Sequence, residues 1–258
     1  MNASYLLHLA DNALILGQRN AEWCGHGPVL EEDIAMANNS LDLIGQARLL
    51  YQRAAELLGK GATEDSLAYF RDVPDFLNYT LLELPHSNAL LPTASSDRDF
   101  ATTIVRNFLY SAFMVLVWDK LQNSQDKQLA AIAAKSLKEV RYHLRHARDW
   151  LVRMGDGTAA SHMRAQNALN HLFAYTQEFW TPSAHETAAC QSCIGIEAST
   201  LQADWNTIVD QALADATLSR PAAGGFVSTG KQAIHSEHLG FVLAEMQSLA
   251  RAHPTATW

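Results

Sequence analysis

At 258 residues, 48% hydrophobic and 18% charged, the chain has room for one large helical domain or two small ones, and a globular rather than disordered balance. A formal net charge of −8 and a pI near 5.7 exclude a broad basic surface, and with it nucleic acid or an anionic membrane as the main partner. Three cysteines, Cys24, Cys190 and Cys193, are too few and too oddly numbered for a disulfide framework.

Helical periodicity dominates from the first residues onward. Ser4 to Arg19 reads as a first helix, although Asp11 interrupts its apolar stretch. That acid and the lack of a basic start argue against a signal peptide, so a reduced, cytoplasmic protein is expected. Pro28 is expected in the first turn of a long second helix, with Glu31, Glu32 and Asp33 at its positive end and Gly59 stopping it near Leu58. Short helices are predicted at Glu64 to Phe70 and Pro74 to Glu83, followed by the linker "LPHSNALLPTASSDRD".

Asp99 to Gln122 and Asp126 to Met154 form the clearest antiparallel pair. The longest unbroken apolar run, Ala112 to Trp118, is far shorter than the ~20 residues of a membrane span. Helices at Ser161 to Trp180, Ser199 to Ala214 and Ala233 to Arg251 complete the chain, with no strand and no repeat. Long helices joined by short turns imply an all-α antiparallel bundle.

Polar residues on apolar faces mark the candidate site. At 100° per residue, Glu139, His143 and His146 fall at the edge of the apolar face of the helix Asp126 to Met154, with Tyr142 just outside. The second helix is apolar nearly all round, yet Glu31, Asn38 and Asp42 share one stripe of it. Two buried helices presenting acids inward point toward a carboxylate-bridged metal bundle, which needs two glutamates and two Glu-x-x-His pairs.

The spacing departs from that pattern. Tyr142, not histidine, stands three residues after Glu139, and His143 is one place too late. The preceding helix offers Asn107, Tyr110, Ser111 and Met114 where a facing carboxylate is required, and "RDVPDF" supplies Asp72 and Asp75 without a histidine. Neutral phenol and hydroxyl groups do not supply the charge that two iron ions demand. The plainer reading is a hydrogen-bonded network of Glu139, Tyr142 and His143 inside a bundle.

A second cluster, "KQAIHSEHLGFVLAEMQ", places no glutamate three residues before either histidine, so His235 and His238 read as packing or interface residues. Cys190-x-x-Cys193 with Cys24 and His26 is a weak zinc pattern, lacking a second matching knuckle.

Four blocks in order then carry a resemblance: Glu22-Trp23-Cys24-Gly25-His26, the stretch Ala35 to Arg48, Lys138 to Thr158, and His235 to Gln247. Together they resemble the C subunits of the bacterial multicomponent 1,2-phenylacetyl-CoA epoxidase, over essentially the whole chain. The resemblance implies a single ferritin-like helical domain, residues 1–258, an antiparallel bundle with extra N- and C-terminal helices. It further implies a non-catalytic structural subunit whose metal site has decayed around Asp42, Asp72, Ser111, Glu139, Tyr142 and His143, with no catalytic residue to carry over.

The implied partners are the catalytic A subunit, which holds the di-iron centre and most of the phenylacetyl-CoA site, and further epoxidase subunits. NADPH, O2 and a reductase act through those subunits in phenylacetate breakdown. No cofactor, nucleic acid or membrane is expected on this chain, and self-association is expected when it is alone. Two other readings stay open: a catalytic di-iron oxygenase using Asp42, Glu139 and His143 in displaced geometry, and a free-standing helical binding protein. The partner face is expected on the helices carrying Phe108, Phe113 and Trp118, or on Ala168 to Trp180 with Leu172, Phe173 and Phe179. Core is favoured for Phe113 and interface for Phe179.

Overall fold

The computed structural model describes residues 3–87, 98–222 and 224–256, so most of the expected linker lies outside the described residues. In chain order the helices are α1 (Ala3–Ala21), α2 (Leu30–Leu58), α3 (Glu64–Tyr69), α4 (Thr80–Glu83), α5 (Phe100–Leu121) and α6 (Lys127–Gly155). They continue with α7 (Ala159–Leu172), α8 (Gln177–Trp180), α9 (Ala184–Gln191), α10 (Gln202–Asp215) and α11 (Glu237–Ala252). No strand occurs among the described residues. The fold is all-α, of the ferritin-like kind, and divides into two compact units: Met1–Leu84 with Thr229–Trp258, and Pro85–Ser228.

The first unit is organised by the α1–α2 hairpin. Tyr51 reaches Asp11 at 2.5 Å and the Ser40 hydroxyl donates to the Gly17 carbonyl at 2.6 Å, contacts that fix the two helices antiparallel. The α2 helix starts two residues after Pro28, because Val29 is extended at φ −147° and acts as the N-cap. The predicted helix at 74–83 is broken. A 3₁₀ turn covers Val73–Asp75, an extended stretch follows, and only Thr80–Glu83 is helical. Gly230 then passes so close that a Cβ there would meet Asn78 O at 2.5 Å and Thr80 N at 2.7 Å, which only glycine allows.

The second unit is organised by the α5–α6 hairpin. Asp99 caps α5 through Ala101 N, and Asp126 caps α6 through Gln128 N and Leu129 N at 3.0 and 3.1 Å. Phe100 and Trp150, near the open end of the hairpin, meet edge to face at 5.4 Å. α5 is long and apolar enough to cross a membrane, but 89% of its most apolar window is buried inside the protein, which makes it a core helix.

The predicted helix 161–180 is interrupted by a 3₁₀ turn at Phe173–Thr176, and the predicted start at Ala233 moves to Glu237. α9 was not anticipated. Its signal was nonetheless present, since Ser183 and Glu186 form a capping box that opens it.

Candidate functional site

The residues singled out in the sequence divide between the two units. Asp42 lies half-buried on α2, whereas Glu31 and Asn38 on the same supposed stripe are exposed. α2 is therefore not apolar all round and does not present a row of acids inward. Asp72 is a surface residue with a 75% exposed side chain, bonded by Arg251 Nη2 at 2.9 Å. Its carboxylate faces solvent, which removes it from any interior site.

In the second unit, Ser111 is buried at the middle of α5, and His143 is buried on α6. Glu139 is half-buried with the Lys135 ammonium 3.5 Å away. Tyr142 is 42% exposed, its ring stacked on His146 with centroids 6.2 Å apart and capped by the Arg145 guanidinium at 5.5 Å. The expected interior network of Glu139, Tyr142 and His143 is thus corrected at Tyr142. A step of three residues turns it 60° back from Glu139, onto the arc held by Lys138, Arg141 and Arg145, while the step of four carries His143 inward.

The donors do not fit a di-iron centre. Ser111 is a neutral hydroxyl, and burial pushes the neighbouring Tyr110 phenol well above its ordinary range, so it stays neutral too. Among the described residues no three histidine, cysteine or acid side chains converge as a metal ion requires. This covers the Cys24, His26, Cys190 and Cys193 pattern as well; all three cysteines are free thiols.

Sequence reasoning missed where the buried charge resides. In the first unit, Asp11 is fully buried and accepts from the Tyr51 hydroxyl at 2.5 Å, from Leu77 N at 2.8 Å and from the Arg71 guanidinium. Burial alone lowers the Arg71 pKa, but the Asp11 carboxylate and Tyr51 outweigh it and leave the group more firmly cationic. Burial first, and then the Asp11 charge, raise the Tyr51 phenol well above its usual value. The whole cluster is therefore a neutralised ion pair with a neutral phenol attached. The sequence signal was Asp11 within an apolar run; its partner lies 60 residues away.

A second buried pair joins Glu83 to His235, both with fully buried side chains. Glu83 Oε2 lies 2.7 Å from His235 Nδ1 and accepts from Asn78 Nδ2 at 2.9 Å, while Oε1 accepts from Ser236 N at 2.6 Å. The other ring nitrogen faces the Phe76 carbonyl at 2.8 Å. Both ring nitrogens thus lie within hydrogen-bond distance of an oxygen. Lys231 is also buried, its ammonium 5.3 Å from the centre of the Tyr79 ring.

Phe113 is core as expected, whereas Phe179, expected at a partner face, is core too. Phe179 is fully buried and stacks on Phe113 with centroids 4.5 Å apart, and Phe108, Trp118, Leu172 and Phe173 are buried as well.

The all-α bundle of ferritin-like kind defines the class of protein. The chain belongs to the phenylacetic acid catabolic protein family, whose profile matches residues 2–258. It is 44% identical over 255 residues to the C subunit of the 1,2-phenylacetyl-CoA epoxidase of Escherichia coli (strain K12), covering 99% of this chain and 98% of that one.

Proposed function

We propose that the chain is a non-catalytic structural subunit of a multicomponent 1,2-phenylacetyl-CoA epoxidase, working in the cytoplasm in aerobic phenylacetate breakdown. It pairs with a di-iron catalytic A subunit, which binds the phenylacetyl-CoA, and it carries no cofactor itself. The observation that carries this reading is the donor chemistry of the α5–α6 pair: Ser111 is a buried neutral hydroxyl, and Tyr142 faces solvent. Two irons need several inward carboxylates, and the geometry supports a bundle that contributes shape instead.

The test is co-expression with the catalytic subunit, followed by size analysis and iron counting on each separated chain. The expected result is a stable complex whose iron stays with the partner. One or two irons retained by this chain alone, and lost on Glu139→Ala, would make it a catalytic oxygenase in its own right. Failure to associate with any epoxidase subunit would leave a free-standing helical binding protein.

A further inference from the structure

Leu30 and Leu41 on α2 are 73% and 67% exposed, in a protein whose other large apolar side chains are mostly buried. They belong to a regular row. Leu30, Ile34, Ala37, Leu41, Ile44 and Arg48 follow one another in alternating steps of four and three residues. That is a 3.5-residue repeat, the period of a seam that receives a second helix by knobs-into-holes packing, and it runs for about 27 Å at 1.5 Å per residue.

The row does not end in open solvent. Ile44 and Arg48 form one wall of a 170 Å³ pocket that also includes Ala68 and Tyr69 of the α3 segment. Tyr69 and its neighbour Asp65 in turn line a 660 Å³ groove with Phe70, Met246 and Leu249. Leu249 and Phe70 are both exposed. The apolar strip and its extension thus form one continuous surface within the first unit.

Charge decides what covers it. Along α2 from 30 to 48 and at the start of α3, the charged side chains are Glu31, Glu32, Asp33, Asp42, Glu64 and Asp65, against the single cation Arg48. Arg48 is already held by Glu64 at 2.7 Å. Both ends of the seam are therefore acidic. A second copy laid on it in either direction would set like charge against like, within a chain of net charge −8.

We infer that this α2 seam is the docking face for a helix of the catalytic epoxidase subunit, one with an apolar stripe flanked by lysine or arginine. The inference rests on the structural-subunit reading above. The partner's helix would fill the spaces between Ile34, Leu41 and Ile44, with its basic flanks against Glu31 and Asp65. The pocket beside Tyr69 receives the end of that helix or the residue that follows it.

The experiment measures association of the purified full chain with the catalytic subunit, for wild type, for Ile34→Glu with Leu41→Glu, for Leu41→Glu alone, and for Glu31→Lys. The substituted side chains are exposed, so an unchanged helical spectrum and Tm are expected of the free variants; the single variant serves if the double one misfolds. The double variant should weaken binding by on the order of a hundredfold or more, as loss of central apolar anchors does. Glu31→Lys should slow association and flatten its salt dependence. If wild type and both seam variants bind equally, the docking face is elsewhere and the subunit reading stands. If wild type itself does not bind, the subunit reading and the docking face fall together. A wild-type homodimer made monomeric by Leu41→Glu would overturn the proposed occupant in favour of a second copy.

Discussion

The two units build a helical interior with different emphasis. Around Pro85–Ser228, stability comes from shape: α5 is buried on nearly every face, and Phe113, Phe179, Trp180 and Trp205 meet in one aromatic cluster. In Met1–Leu84 with Thr229–Trp258, the interior is tied by titratable groups paired side chain to side chain, Asp11 with Arg71 and Glu83 with His235, whereas the buried Arg106 and Glu178 of the second unit bond to the Pro85 carbonyl and the Ser228 hydroxyl. Apolar packing tolerates many sequences of similar volume, whereas a buried charge demands its one partner in one place. The first unit must assemble segments far apart in the chain, and the buried pairs specify which segments meet.

The comparison is broken most directly at Arg71. Its replacement by alanine strands the Asp11 carboxylate and should cost about 3–5 kcal/mol. Urea unfolding measures this, and a loss below ~1 kcal/mol would mean that Asp11 finds water or another donor. Phe179→Ala tests the other style of interior. Removing a stacked, fully buried ring should cost about 3–5 kcal/mol by cavity formation, with enlargement to Leu recovering part of it. Equal stability of wild type and Phe179→Ala would show that the aromatic cluster is not what holds its unit together.

A smaller effect is expected at Glu83→Gln, which keeps the shape but replaces one carboxylate oxygen by an amide nitrogen. The amide nitrogen cannot accept from the partners that this carboxylate oxygen serves, and about 1–3 kcal/mol should be lost. Urea unfolding measures this, and a variant as stable as wild type would mean that the pair does not help to hold His235 in place. The smallest effect is predicted for Tyr142→Phe. An exposed hydroxyl outside the interior should change stability by no more than ~0.5 kcal/mol. A larger loss in Tm would return Tyr142 to the interior network that its position on α6 denies.

Legibility from the sequence followed the range of the interaction. α1, α2, α5 and α6 were readable because each carries several turns of 3.6-residue pattern. The stretches 74–83 and 173–176 were misread because short 3₁₀ turns keep helical composition while changing the helix path. Tyr142 and Phe179 show the limit of face arithmetic. One sits a single step beyond the apolar arc, and the other is aromatic and interface-like in composition yet packed on Phe113. Asp11 was visible as an anomaly, but nothing local names Arg71, since a pairing across 60 positions leaves no periodic trace. The exposed seam of α2 was hidden by the same arithmetic, because a helix with apolar residues on both flanks reads as buried whether or not both flanks are covered.

The Glu83–His235 pair bears on the order in which a ribosome delivers the chain. When Glu83 emerges, its partner lies 152 residues away, behind all of Pro85–Ser228. At about 5–20 residues per second, His235 follows after roughly 8–30 s. That is long on the scale of helix formation and of loop closure. The α1–α2 hairpin therefore spends this interval without α11 and with an acid awaiting its histidine, while the second unit is a continuous stretch that emerges in one piece. A nascent chain halted between Ser228 and His235 should then show protease cuts concentrated in 64–84. Release of the last segment should close them.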